Sequence, residues 1–310
     1  MNEIIKVVIA GLDEAGKTSI LTALDKKYDF HKDIISLTPT IRVEYHATEF
    51  LQKKTIFWDM GGQQKYREIY ENKQDIYFSG TDLLLYVIDI QDKERFETSL
   101  SYLDMILNNF LKHKLEIPLI ITFHKFDPGI KDVENVILDV NSLRETIISK
   151  YPMFKILFQQ TSIYDIISIV QLISYGLSVF DEKFFELSEL LEHYLEAFNS
   201  KSLIIFDKNG IIISEFYSSV IEPKIYIEFL ESIKEHLFLL KRMQEESYET
   251  DSNFCEMGNE LLSYLHKLEI GDQSFFTSVI IQDRYKDAFL EKFSDFLIDV
   301  TNILEPLVLS

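Results

Sequence analysis

An apolar run over residues 4–10 ends in Gly11-Leu12-Asp13-Glu14-Ala15-Gly16-Lys17-Thr18, and residues of helical pattern follow. This order of strand, glycine-bearing loop and helix constrains the chain more than any other feature. Glycine at both ends of the string lets the backbone curl so that successive N–H groups point inward, and the helix start adds positive potential to that concavity. A phosphate chain is the ligand such a loop suits. In this pattern Lys17 reaches the terminal phosphates and Thr18 ligates Mg²⁺, while Gly11, Asp13, Glu14, Ala15, Gly16 and Ser19 complete the cradle. Chance places a G-x-x-x-x-G-K-[ST] string in about one in a hundred chains of this length. With only 10 glycines in 310 residues, and with strand and helix on either side, chance is a poor account of it here.

Further residues fall in order behind the loop. Asp59-Met60-Gly61-Gly62-Gln63 closes the strand that runs through Trp58. At such a position an aspartate holds Mg²⁺ through water, a glycine amide meets the γ-phosphate and a glutamine orients the attacking water, roles that fall on Asp59, Gly62 and Gln63. Thr40, in Thr38-Pro39-Thr40, is on its own a strand start. Between the loop and Asp59 it becomes the candidate second hydroxyl ligand of Mg²⁺, so the candidate catalytic set is Lys17, Thr40, Gly62 and Gln63. His124-Lys125-Phe126-Asp127 ends a later strand. Asp127 can accept two hydrogen bonds from a guanine edge, whereas adenine would set an acceptor against the carboxylate. That selects GTP over ATP. Lys125 would lay its stem along the base, and in Thr161-Ser162-Ile163-Tyr164-Asp165 the Ile163 N–H would reach the guanine carbonyl, beside Ser162. By itself His124 reads as a surface imidazole, and Cys255 as an inert, partly buried thiol.

The segments around these motifs alternate short apolar runs with helical stretches, the pattern of an α/β fold with a mostly parallel sheet. Strands are expected at 41–50 and 55–58 as an antiparallel hairpin, then at 83–88, 119–123 and 155–158. Helices are expected near 98–112, 141–150 and 166–180. From about 181 a second programme begins with an acidic helix. Strands at 203–206 and 211–213 flank Asp207-Lys208-Asn209-Gly210, whose Asn-Gly pair supplies the positive φ angles of a tight hairpin. A long helix follows Pro223, with Tyr226, Phe229, Ile233, Leu237 and Leu240 at helical spacing. Residues 244–253 read as a loop, 265–270 and 275–282 as another hairpin, and 288–304 as a closing helix stopped before Pro306. The apolar strands 203–206 and 275–281 carry more greasy surface than one sheet face hides. As edges they would need a partner, which makes the second half a dimerisation module. Its acidic residues, Glu189, Glu192, Glu196, Glu231 and Glu235 among them, then belong on outer helix faces.

Composition narrows the classes. A chain of 310 residues has room for two domains, and 46% hydrophobic with 26% charged residues is globular composition. The net charge of -20 divides into -5 over residues 1–180 and -15 over 181–310, which opposes non-specific binding to nucleic acid or anionic lipid. The single cysteine excludes an intrachain disulfide or a multi-cysteine zinc site. No leader, lipidation box or membrane-length apolar run is read, so the expectation is a cytoplasmic protein that reaches membranes only through a partner, with no direct insertion.

The ordered set GLDEAGKT, TPT, WDMGGQ, HKFD and TSIYD resembles a small GTPase of the Ras superfamily across residues 4–180. GLDEAGKT and WDMGGQQKYR resemble the Arf family. His124, where the base motif usually has asparagine, and Thr-Ser-Ile followed by an aromatic and an aspartate resemble the Rag GTPases. Those carry a carboxy-terminal roadblock/longin-type domain, and the order helix, hairpin, long helix, strands, helix in 183–304 is similar to it. The resemblance implies a P-loop GTPase domain over 1–181, with a six-stranded, mostly parallel α/β sheet between helices. It implies an α+β roadblock/longin-like dimerisation domain over 182–310. It also implies GTP/GDP and Mg²⁺ as cofactors, activating and exchange partners, and pairing of the second domain with itself or with a related GTPase. Three functions remain open: a slowly hydrolysing switch, a nucleotide-gated scaffold with negligible hydrolysis, and an Arf-like trafficking GTPase.

Overall fold

The first apolar run becomes β1 (Ile5–Gly11), in which Val7, Val8, Ile9 and Ala10 have no exposed surface, so both faces of the strand are covered. The computed structural model describes residues 4–26, 37–50, 53–165, 168–169, 171–172, 175–176, 183–207, 212–218, 252–257 and 260–309. The chain divides into two compact units, Met1–Gly176 and Leu177–Ser310.

In the first unit β1 pairs in parallel with β3 (Lys53–Met60) and β4 (Leu83–Asp89). The parallel side continues through β5 (Leu119–His124) and β6 (Ile156–Thr161), while β2 (Val43–Phe50) joins β3 antiparallel at the other edge. The order is β2-β3-β1-β4-β5-β6. Among the described residues the sheet is accompanied by α1 (Lys17–Lys26), α2 (Gln64–Asn72), α3 (Gln74–Phe78), α4 (Phe96–Lys112) and α5 (Glu134–Lys150). Tyr102, Leu103, Ile106, Leu107 and Phe110 recur at three and four residues along α4 and join one core with Val8, Ala10, Tyr86 and Ile121. Ile169 and Leu172, also helical, are fully buried. Helix α5 starts seven residues before the expected position. Ile137 and Leu138 in its early turns are exposed, so that stretch lacks the apolar period that marks a helix in sequence. The parallel registers pair Ile9 with Asp59, Gly11 with Val87, Asp89 with His124, and His124 with Thr161. The carboxyl ends of the strands therefore form one rim, where an open α/β sheet binds its ligand.

The second unit runs α6 (Lys183–Ala197), β7 (Ser200–Asp207), β8 (Ile212–Tyr217), β9 (Ser252–Met257), β10 (Leu261–Ile270), β11 (Gln273–Gln282) and α7 (Lys286–Leu309). Its five strands are antiparallel in the order β8-β7-β11-β10-β9. Helices α6 and α7 meet over an aromatic cluster. Phe289 has ring neighbours at 4.9 Å (Phe198), 5.0 Å (Phe293) and 5.1 Å (Tyr264), and Tyr194 donates to Asp299 at 2.7 Å. Glu189, Glu192 and Glu196 lie exposed on α6, as their spacing requires.

Three expectations are corrected here. The apolar strands near 203–206 and 275–281 are not edges: β7 and β11 are interior, and Phe206, Val279, Ile280 and Ile281 have no exposed surface. Their excess of apolar residues reflects burial on both faces rather than a missing partner. Ser252 and Asn253, read as loop, belong to β9, whose pairing with β10 supplies what a polar stretch does not show locally. The last helix runs through Pro306 to Leu309. One missing N–H in the final turn is a small loss, and Leu307 and Val308 continue the buried stripe of Phe296, Val300 and Leu304. The Asn209-Gly210 turn, the helix after Pro223, Glu231, Glu235 and the side chain of Cys255 lie outside the described residues.

Phe289→Ala would leave a cavity among three rings and is expected to cost about 3–5 kcal/mol, read as a lowered midpoint in denaturant unfolding. An unchanged midpoint would mean that this cluster does not hold the two helices.

Candidate functional site

The turn after β1 closes on itself before α1 begins. Lys17 is buried and its Nζ donates to the Leu12 carbonyl at 2.7 Å. Burial pulls its ammonium down to about 8, against the opposing pull of Asp59 and Asp13. Gly16 has φ +93°, and a Cβ there would overlap the imidazole of His124. Only glycine gives both that backbone and that contact. Gly62 approaches from the end of β3 so closely that a Cβ would overlap the backbone of Leu12 and Asp13. Asp13 is gripped from the far side by Arg95, which pairs with its carboxylate and donates to its carbonyl at 3.3 Å.

Three oxygen-bearing side chains converge beside Lys17. Thr18 Oγ1 donates to Asp59 Oδ2 at 2.5 Å, Thr18 and Thr40 share a hydrogen bond between hydroxyls at 2.9 Å, and Thr40 donates to Asp59 Oδ2 at 3.3 Å. Asp59 has no exposed surface, and its Oδ1 is a buried atom with no hydrogen-bond partner among the described residues. Burial pushes this carboxyl up, while Lys17 and the Thr18 hydroxyl hold it down. Two hydroxyls and a carboxylate, one of whose oxygens is unpartnered among the described residues, form a donor set suited to a hard divalent cation.

The end of the rim around His124 is as closely built. His124 is 1% exposed, so the surface reading of its imidazole is wrong. The ring fits because Gly16 has no side chain. Its Nδ1 shares a hydrogen bond with Thr161 Oγ1 at 2.9 Å, which in turn meets Thr122 Oγ1 at 2.6 Å. Burial, with neighbouring Lys125 adding to it, drives His124 down to about 3, so the ring is neutral. Asp127 Oδ1 accepts from Ser162 Oγ at 2.6 Å and Oδ2 from Gln91 Nε2 at 2.8 Å. Lys125, at φ +60°, turns its ammonium to Asp89 at 2.7 Å.

A cleft of about 460 Å³ joins these pieces. Asp13, Glu14, Gly16, Lys17, Thr18, Ser19, Thr40, Gly62, Gln63, His124, Lys125, Asp127 and Ile163 all line it. Asp59 and Ser162 stand behind it, bonded to Thr18 and Asp127, while Gly11 and Ala15 belong to the turn beneath. Leu37 and Tyr164 also line the cleft, and Gln91 and Arg95 brace it, without having been singled out. Tyr164 lies within a quoted motif. Gln91 and Arg95 act across 36 and 82 residues of chain and leave no local signal.

The sequence profile of the ADP-ribosylation factor family matches residues 1–163. The chain belongs to the ADP-ribosylation factor family. Among solved structures, one that matches is described as the Arl6 BBS3 small GTPase from Trypanosoma brucei with bound nucleotide analogue GppNp. It is 19% identical, and the match covers 57% of this chain and 97% of that one with a TM-score of 0.44. Arf-family proteins are small GTPases that bind GTP and GDP and hydrolyse GTP. This Arf-family chain is accordingly a GTPase and a guanine-nucleotide switch, carrying a second α+β unit beyond the matched region.

The folded value for His124, about 3, lies below the ordinary 6.5. Between those values the unfolded chain binds the additional proton, so this residue makes stability rise with pH across the window and fall on acidification. His124→Asn is expected to flatten the pH dependence of the urea midpoint there, relative to wild type. Parallel curves would show that His124 is not a neutral buried ring.

Proposed function

We propose that the cleft binds Mg²⁺·GTP and that the loop carrying Thr40 is the element switched by hydrolysis. The observation that supports this most is the convergence of Thr18, Thr40 and Asp59 at hydrogen-bond distance, although 41 residues separate the first from the last. Thr18 and Thr40 would hold the metal directly and Asp59 through water, and the metal when bound would neutralise charge on the phosphate oxygens. Lys17 would meet the terminal phosphates and the Gly62 N–H the γ-phosphate. Gln63 has its backbone anchored, since its carbonyl accepts from the Tyr66 and Arg67 N–H groups, and the residue lines the cleft, where its side chain would orient water. Asp127 would read the guanine edge and the Ile163 N–H its carbonyl. When the γ-phosphate leaves, the contacts that reward Thr40 and Gly62 go with it, and both loops are released.

Turnover without a partner is slow on this reading. Ser36, Leu37, Thr38 and Pro39 precede Thr40, so no arginine stands there, and Arg95 is committed to Asp13. One single-turnover experiment tests nucleotide class and rate together, with labelled GTP, excess unlabelled ATP, and wild type beside Gln63→Leu. ATP should fail to displace GTP. The wild-type rate should fall near ~10⁻⁴ to 10⁻³ s⁻¹, with Gln63→Leu slower still. Displacement by ATP as effective as by GTP would sink the guanine assignment, and equal rates would remove Gln63 from its role.

A second reading concerns assembly. In the second unit the order helix, hairpin, three antiparallel strands and helix supports a roadblock/longin-like domain of the kind Rag GTPases carry. Pairing would then use a sheet edge, β8 or β9, with a second copy or a related GTPase as partner. Activating and exchange partners, and membrane recruitment through a partner rather than by insertion, belong to the same reading. Among the described residues no helix is long and apolar enough to cross a membrane. Sedimentation of the full chain with GDP and with GTP is expected to give a dimer in at least one state. A monomer in both at tens of micromolar, where contacts worth about 6–7 kcal/mol register, would count against self-pairing.

A further inference from the structure

Gln91 is an exposed residue two positions beyond β4, and both hydrogens of its side-chain amide are committed. Nε2 donates to the Lys125 carbonyl at 2.7 Å and to Asp127 Oδ2 at 2.8 Å. Both partners only accept, so the reverse orientation of the amide would set oxygen against two oxygens. The backbone is pinned as well: the Gln91 N–H donates to Asp89 Oδ1 at 2.9 Å, and the neighbouring Ile90 N–H to the His124 carbonyl at 3.0 Å. Ordering an exposed glutamine in this way costs side-chain entropy, which a merely decorative surface residue would not bear.

The carboxylate it touches has about four lone-pair directions, two on each oxygen. Ser162 occupies one on Oδ1 and Gln91 one on Oδ2. Among the described residues one therefore remains on each oxygen of Asp127, which lines the cleft, whereas Gln91 itself does not line it. A guanine edge presents two donors side by side, the ring N–H and the exocyclic amine. One free acceptor site per oxygen is the matching count.

We propose that Gln91 is a positioning residue for base recognition: it fixes the Asp127 carboxylate so that both oxygens meet the two donors of guanine, and thereby sets discrimination among purine triphosphates. This rests on the guanine reading of the cleft. The glutamine acts through Asp127 and makes no contact with nucleotide. The same short segment continues to Arg95, which holds Asp13, so residues 89–95 brace the base-reading loop at one end and the phosphate loop at the other.

The test is competition for labelled GTP on the full chain with Mg²⁺, using unlabelled GTP, ITP and ATP against wild type, Gln91→Leu and Gln91→Glu. ITP keeps the ring N–H and lacks the amine, so the GTP-to-ITP preference reads whether the second carboxylate oxygen is in place. Gln91→Leu is expected to weaken GTP about tenfold, as for loss of a charge-assisted hydrogen bond, and ITP less, so that the preference shrinks. Gln91→Glu should shrink it further, because a carboxylate would face a carboxylate and a carbonyl. Thermal midpoints should stay near wild type, the residue being exposed, and Gln91→Glu keeps the size and shape of the side chain if the leucine variant folds poorly. Equal losses for GTP and ITP, or no loss in either variant, would overturn the role of Gln91 while leaving the guanine reading intact. Failure of the wild type to prefer GTP over ATP would instead overturn that reading.

Discussion

Asp59 is a carboxylate with no exposed surface at the end of a central strand, and the architecture of the cleft follows from what that burial demands. An ionised group there is costly unless donors and positive charge surround it. Thr18 from the phosphate loop, Thr40 from the segment before β2 and the buried Lys17 are what the chain supplies. Two pieces of backbone that sequence keeps far apart, those carrying Thr18 and Thr40, are thus drawn to one atom, Asp59 Oδ2, with the Lys17 charge close by. The other oxygen stays buried and unpartnered among the described residues, so the compensation is incomplete in the protein alone. Thr40 is held to this carboxylate by a hydrogen bond at 3.3 Å and to Thr18 by one at 2.9 Å, so its position depends on contacts that the Asp59 charge maintains.

The second coupling runs through a ring rather than a charge. His124 stands between Gly16 and Thr161, packed on the first and hydrogen-bonded to the second, so the phosphate loop and the β6 end share one side chain. A charged imidazole would be out of place there, and burial removes the charge. The neutral ring acts as a spacer of fixed size. The ring occupies the space that a Cβ at Gly16 would need, so any larger residue at 16 would displace it.

How much of this was legible follows from the range of each interaction. The phosphate loop is local, eight consecutive residues with glycine and lysine at fixed places, and Asp59, Gln63 and Asp127 could be singled out because each sits at or just past a strand end within its own short motif; the structure brings Gln63 and Asp127 to the cleft with Asp59 behind it. The environment of His124 was not legible. Its burial depends on the absence of a Cβ at Gly16, more than a hundred residues away, and the strand pattern says only that a histidine follows Phe123. Gln91 and Arg95 were missed because their partners arrive through folding, and a lone glutamine or arginine before a helix looks like solvated surface. In the second unit four of the five strands were found, β9 was missed because its polar residues pair only through the fold, and the neighbours of the strands were not legible. An apolar run of five residues reads alike whether it is an exposed edge awaiting a partner or an interior strand covered on both faces, and only the order β8-β7-β11-β10-β9 decides.

That order also changes what the acidic second unit offers to other molecules. With β7 and β11 interior, the apolar side chains that argued for association are already used inside the sheet, and the backbone groups left at the margins belong to β8 and β9. Strand β8 carries Glu215, and β9 carries Glu256, both within a unit of net charge -15. Like charges facing each other across a sheet edge oppose indiscriminate pairing, as edge charges do in other sheets. Charge at the margins and apolar content in the middle therefore assign different jobs to the two. The interior strands hold the unit together, while Glu215 and Glu256 place negative charge on its edge strands.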